Sequence, residues 1–136
     1  MVREINKDTV MLSTPSTEAS EVNLPIAVDL RDTLLFHRQE CVGMAANMIG
    51  ELKRIIVFFD GEQCVTMLNP EIVKKSGKFK TEEGCLSLSG TRSTERYAAI
   101  RVRFTDELLR ARQKCYTGFT AQIIQHEIDH LNGILI

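Results

Sequence analysis

The sequence is poor in several things, and each shortage excludes something. Net charge is only −1 over 136 residues, so bulk charge argues against a nucleic-acid-binding surface. No apolar run approaches the roughly 20 residues that a transmembrane helix needs. The opening MVREINKDTV lacks the apolar core of a secretory signal. A cytoplasmic location with no membrane association is therefore expected. No internal repeat, low-complexity tract or linker is visible, so a single domain over residues 1–136 is expected. A chain of this size buries roughly two-thirds of its unfolded surface and needs no disulfide staples. The four cysteines, at 41, 64, 85 and 115, are too widely spaced for any CxxC pattern. In a reducing compartment the default is four free thiols. Histidine is scarcest of all. There are three, and two of them fall in QHEIDHLNG, residues 125–133.

The coarse organisation follows from punctuation and period. Residues 1–22 are polar and read as an irregular or partly extended arm. Asn23 and Pro25 mark a helix start, and Ala27, Leu30 and Leu34 follow at helical spacing, which predicts a helix over about 24–38. The glycines of CVGMAANMIG interrupt regular structure. RIIVFF (54–59) and CVTML (64–68) read as strands joined by an Asp60-Gly61 turn. Asn69-Pro70 is expected to end the second of them. Further strands are expected over 72–80, 96–104 and 110–117, and then a helix capped by Thr117 or Thr120 and running through 130. The result is an α+β fold in which antiparallel strands pack around a C-terminal helix, with a second helix near the N-terminus.

His-Glu-x-x-His on that last helix carries the chemistry. Positions four apart share a helix face, so His126 and His130 can grip one metal ion. Glu127 is turned about 100° from His126. That places it beside the metal, where it can act as general base on a metal-bound water. The competing reading is an ordinary helix with two histidines on one side. Apolar Phe119 and Ile123 on the same side favour the metal, because a buried histidine pair without partners is costly. A catalytic site of this kind takes three protein ligands. Only LNGILI follows His130, so the third is expected upstream among Cys41, Cys64, Cys85, Cys115, His37 and the acidic residues. Cys85 is favoured by its setting, EEGCLSLSG, after a glycine. Cys64 and Cys115 read as buried small hydrophobes, and His37 as a surface or packing residue outside every motif.

Three segments, GMAANMIG (43–50), EGCLS (83–87) and QHEIDH (125–130), resemble the peptide deformylases in order and spacing, and the likeness spans nearly the whole chain. The resemblance implies a deformylase-like fold and a hydrolase that removes the formyl group from N-formylmethionyl nascent peptides, near the ribosome, as a monomer. It implies a divalent ion held by Cys85, His126 and His130: Fe(II) in the cell, with Zn(II) or Ni(II) able to occupy the site. It implies Glu127 as the catalytic carboxylate and the Leu86 backbone N–H as a donor to the formyl oxygen. Gly43, Met44, Met48, Gly84, Phe119 and Ile123 are the expected substrate-binding residues, with Gln122 a polar intrusion among them.

The sequence also departs from the family. The first motif usually reads GxGxAAxQ. Here Cys41 stands at the first Gly and Met48 at the Gln. That Gln's amide helps hold the formyl oxygen, and Met has no N–H to give. Two further readings follow from this: a divergent relative with weak activity or another amide substrate, and a non-catalytic metal- or peptide-binding module. Glu127 weighs against the last, since a structural metal site does not need it. Arg96 is expected to brace the site through Glu83 or Asp129.

Overall fold

The computed structural model describes residues 1–136. Five strands form one antiparallel sheet: β1 (Gly43–Ala45), β2 (Ile55–Asp60), β3 (Gln63–Cys85), β4 (Leu88–Thr105) and β5 (Ala111–Thr117). Their order in the sheet is their order in the sequence. Three helices accompany it: α1 (Thr9–Leu12), α2 (Leu24–Phe36) and α3 (Gly118–Leu131). A 3-10 turn over Ala46–Ile49 follows β1.

Strand alternation covers both faces of the sheet. Ile56 and Phe58 of β2 pack with Val102, Ile124 and Leu131 in a cluster beneath α3. Their neighbours Ile55 and Val57 turn the other way, into a second cluster with Leu30 and Leu34 of α2. The frame that carries α3 is thus clamped between two apolar layers.

Several sequence expectations change in detail. The N-terminal arm is not merely irregular. Asp8 caps the short α1 by accepting from the N–H groups of Val10 and Met11. The Asn6 N–H donates to the Met48 carbonyl at 2.7 Å, and Arg3 reaches Asp29 and Glu51 at 2.9 Å each. Asn69-Pro70 does not end a strand. Asn69 takes φ +52 and shifts the register between Leu68 and Glu71, after which β3 runs on to Cys85. The bulge is pinned because the Asn69 side chain accepts from the Ala19 N–H at 2.8 Å and donates to the Ala19 carbonyl at 2.9 Å. Pro70 lacks an N–H and is tolerated at such a break. Thr117 is the N-cap of α3 by backbone, but neither its side chain nor that of Thr120 caps the helix; Thr120 Oγ1 lies 3.4 Å from Asp60. No helix is long and apolar enough to cross a membrane.

Helix α3 ends against the arm. Gly133 has φ +75, and a Cβ there would stand 2.5 Å from the Ser13 carbonyl oxygen. Gly50 also has a positive φ, +83, but faces open space. Gly133→Ala is therefore expected to destabilise the fold by about 2–3 kcal/mol or more, combining left-handed strain with a backbone clash. Gly50→Ala is expected to cost only about 1–2 kcal/mol. Urea midpoints of the two variants check the ranking.

Candidate metal centre

Helix α3 turns His126, Glu127 and His130 inward, and all three are buried. Cys85 stands at the tip of the β3–β4 hairpin, across the two-residue turn from Leu88. Residues two apart on a strand share a face, so Glu83 and Cys85 both approach α3. The ligating atoms of Cys85, His126 and His130 all lie within 4.8 Å of one another. The Nε2 atoms of the two histidines are 3.0 Å apart. The Ser87 N–H donates to Cys85 Sγ at 3.4 Å.

Glu83 organises this centre. Its Oε1 accepts from His126 Nδ1 at 2.7 Å and from Arg96 Nη2 at 2.7 Å. Its Oε2 accepts from Arg96 Nε at 3.0 Å and from Gln122 Nε2 at 2.9 Å. Burial alone would push this carboxyl up, but the hydrogen bonds from His126, Arg96 and Gln122 reverse that and hold it at about 2. An ionised carboxylate can only accept, so the proton of His126 sits on Nδ1 and Nε2 is left for a ligand. Arg96 also donates to Asp129 at 2.7 Å, so both expected partners of Arg96 are engaged.

Glu127 has no such support. It is almost fully buried, and its Oε1 has no hydrogen-bond partner. Burial pushes its carboxyl up to about 7, partly offset by the charge on His126. A cation bound beside it would lower that value. Burial and the neighbouring His126 charge also hold His130 well below the ordinary imidazole range, so it presents a neutral ring. His126 is shifted upward: burial opposes its charge, but Cys85, Glu127 and Glu83 outweigh that, so without an ion the ring is charged. A bound cation would displace the Nε2 proton while Nδ1 keeps its bond to Glu83.

Two amide side chains fix the helix. Gln125 accepts from the Tyr97 N–H and donates to the Tyr97 carbonyl, both at 2.8 Å, tying α3 to β4. Asn47 Nδ2 donates to the His130 carbonyl at 2.8 Å. Neither clamp was visible in the sequence, because each joins segments far apart in the chain.

A cavity of about 520 Å3 opens onto the centre. Gly43, Met48, Gly84, Leu86, Phe119 and Ile123 line it, together with Cys85, His126 and Glu127. Met44 does not: it is fully buried in the α2 layer, because β1 sends it to the face opposite Gly43 and Ala45. Asn47 is buried and turned to His130, leaving Met48 at the cavity. Gly43 serves the protein as much as a substrate. A Cβ there would lie 2.7 Å from Ile123 Cγ2 and 3.0 Å from Glu127 Oε2. At Gly84 a Cβ would meet nothing closer than 3.4 Å. Phe119 is 64% exposed, at the rim, while Ile123 is 6% exposed. His37 lies outside the centre, with Nδ1 2.8 Å from Glu40. Cys115 is exposed rather than buried, on the outer strand β5. Cys64 is partly buried against the α2 layer, and Cys41 lines the cavity wall.

The residues fit a metal ion. Two imidazole nitrogens bound to one ion at about 2.0–2.1 Å must themselves lie roughly 3–3.5 Å apart, which matches the His126–His130 spacing. A thiol stands within reach of both, and a buried carboxylate with an unpartnered oxygen stands beside them. An antiparallel α+β frame carrying this set defines a metal-dependent hydrolase. Comparison with known proteins is more specific. The polypeptide deformylase family model matches residues 3–136. A peptide deformylase of Clostridium beijerinckii is 48% identical over 136 residues, covering all of both chains. One of Dictyoglomus thermophilum is 36% identical, covering all of this chain and 91% of its own. A solved peptide deformylase from Acinetobacter baumannii with Met-Ala-Ser bound superposes with a TM-score of 0.88 at 30% identity, covering 99% of this chain and 97% of that one. The chain belongs to the peptide deformylase family.

Arg96 is 3% exposed and neutralises the Glu83 carboxylate. Removing one partner of a buried pair strands the other charge, at about 3–5 kcal/mol. Arg96→Ala is expected to lower stability by that order in chemical denaturation and, by releasing Glu83, to weaken metal retention on dialysis against a chelator.

Proposed function

We propose that the chain hydrolyses the formyl amide of N-formylmethionyl peptides at the centre formed by Cys85, His126 and His130, with Glu127 moving the proton. The observation that carries this reading is Glu127 itself. A buried carboxylate with a free oxygen next to three metal-ligating atoms has no structural task, but it suits a proton shuttle.

A divalent ion held by the thiolate and two imidazoles supplies Lewis acidity toward water and toward a carbonyl oxygen. The donor set suits Fe(II), Zn(II) and Ni(II), and we assign Fe(II) in the cell from the family resemblance. Glu127 takes a proton from the attacking water and returns it to the departing amine nitrogen. The water oxygen joins the formyl carbon, the C–N bond breaks, and formate and a free N-terminus leave. Ionised Glu83 keeps His126 in one tautomer throughout. The Leu86 backbone N–H, directly after Cys85, is the donor assigned to the formyl oxygen. Phe119 and Ile123 form a wall for the first side chain. The substrates are nascent peptides met in the cytoplasm near the ribosome, and the enzyme acts as a monomer.

Release of formate from formyl-Met-Ala-Ser by protein purified anaerobically with Fe(II) tests the reading. Glu127→Ala is expected to lower kcat by about 10²–10⁴ while the metal is retained. A wild-type rate no higher than that of the variant would refute the assignment. Met48 lies at the cavity without a side-chain N–H. Met48→Gln is expected to raise kcat/KM, with about 10²–10³ as the ceiling for one donor. An unchanged or lower value, in folded and metallated protein, would show that the oxygen is held elsewhere.

A further inference from the structure

The two histidines of the centre are supported unequally. Glu83 accepts from His126 Nδ1 at 2.7 Å. His130 Nδ1 is buried and has no partner in the protein. The Nε2 atoms of the two rings are 3.0 Å apart and face the centre. An imidazole that gives Nε2 to a metal ion is neutral and carries its one proton on Nδ1. In His130 that N–H is a fully buried donor, since the residue is 0% exposed. Leaving such a donor unmet is costly. Metal-bound histidines almost always give this second N–H to an acceptor or a water.

A matching acceptor stands on a residue that already touches His130. Asn47 is also 0% exposed, and its Oδ1 is buried without a partner. The orientation of the amide is fixed, because only Nδ2 can donate to the His130 carbonyl, at 2.8 Å. Amide geometry then holds Oδ1 within about 5 Å of that carbonyl oxygen. The carbonyl has a second donor in the Gly133 N–H at 3.1 Å, so satisfying it does not account for burying an amide here. An unmet donor and an unmet acceptor thus lie buried on two residues that one hydrogen bond joins. They do not bond each other directly. One water bonded to both spans a gap of up to roughly 5.5 Å.

We infer that Asn47 is the positioning residue of His130: its Oδ1 takes the hydrogen bond of the Nδ1 proton through one buried water, which fixes the tautomer and leaves Nε2 for the metal ion. The inference rests on the metal centre of the reading above. It divides the work between the two histidines. Glu83 orients His126 and adds negative charge, whereas Asn47 orients His130 and adds none beside Glu127.

The experiment compares Zn(II) affinity, by competition with a chelator, for wild type, Asn47→Leu and Asn47→Asp. Nitrogen-15 NMR of the histidines in the Zn(II)-loaded wild type accompanies it. Both substitutions remove the amide N–H that anchors α3, and only Asp keeps an acceptor for Nδ1. Asn47→Leu is expected to bind Zn(II) about 10–100-fold more weakly, and Asn47→Asp within about threefold of wild type or tighter. In the wild type the His130 Nδ1 proton is expected to exchange slowly with solvent and to show cross-relaxation with a long-lived water. A loss in Asn47→Asp as large as in Asn47→Leu overturns the inference, since Asn47 then serves only to anchor the helix. No loss in Asn47→Leu also overturns it. If the variants do not fold, the wild-type spectrum decides alone: a bare Nδ1, or a proton held by a protein acceptor other than Asn47, overturns it. Formate release by the Fe(II) enzyme is measured in parallel. Zn(II) held as expected without any formate refutes the deformylase reading and leaves the role of Asn47 standing. No Zn(II) bound by wild type overturns both.

Discussion

Everything at the centre depends on one buried carboxylate. Glu83 accepts five hydrogen bonds: three from Arg96, one from His126 and one from Gln122. A buried carboxylate without partners would take up a proton instead. Here the donors hold it ionised, and its ionisation fixes the His126 tautomer. The arrangement is reciprocal, since Arg96 is buried only because Glu83 and Asp129 share its charge. Strand geometry makes the link to the metal. Glu83 and Cys85 are two residues apart on β3, so the carboxylate that orients His126 and the thiol that completes the candidate ligand set approach α3 from the same face.

Such a polar cluster survives in a small domain because the frame around it is dry on both sides. The two apolar layers take alternate residues of β2, and α3 is fixed to the sheet by side-chain amides rather than by packing alone. Gln125 binds both backbone groups of Tyr97. Asn47 binds the carbonyl of His130. The N-terminal arm then holds the 3-10 turn itself, through Asn6 on the backbone of Asn47 and Met48. A residue at position 6 therefore helps set the geometry of a candidate ligand at position 130.

What could be read from the sequence follows from how far each signal reaches. His126, Glu127 and His130 are legible because a helix places positions four apart on one side, and that rule is local. The antiparallel strands and the Asp60-Gly61 turn are legible for the same reason. Cys85 is less so. Its proximity to α3 comes from a strand running from Gln63 to Cys85 that had to pass through Asn69-Pro70 without ending. The residues alone left several third ligands open, and the EGCLS resemblance chose among them. Met44 shows the opposite failure. It was placed at the cavity with its neighbours, but a three-residue strand sends adjacent side chains to opposite faces. The Glu83 network spans three elements, so only its Arg96 arm was anticipated.

The same physics bears on the missing amide at Met48. An adjacent Asn47 invites the idea that a small shift of the turn would return a side-chain amide to the cavity. The structure opposes it. Asn47 is fully buried and its Nδ2 satisfies the His130 carbonyl. Rotating Asn47 outward would break that bond at the C-terminal end of α3 and leave the His130 carbonyl with the Gly133 N–H alone, at 3.1 Å, while a shift of the turn itself would disturb the bonds of Asn6 to the Asn47 and Met48 carbonyls. An unmet buried hydrogen bond costs about 1–3 kcal/mol, a sizeable part of what one transition-state donor returns, roughly 3–4 kcal/mol. As folded, the turn commits Asn47 to α3 and leaves Met48 at the cavity. The polar groups left to face a substrate are those of the Cys85–Leu86 hairpin tip and of the α3 wall, where Gln122 stands.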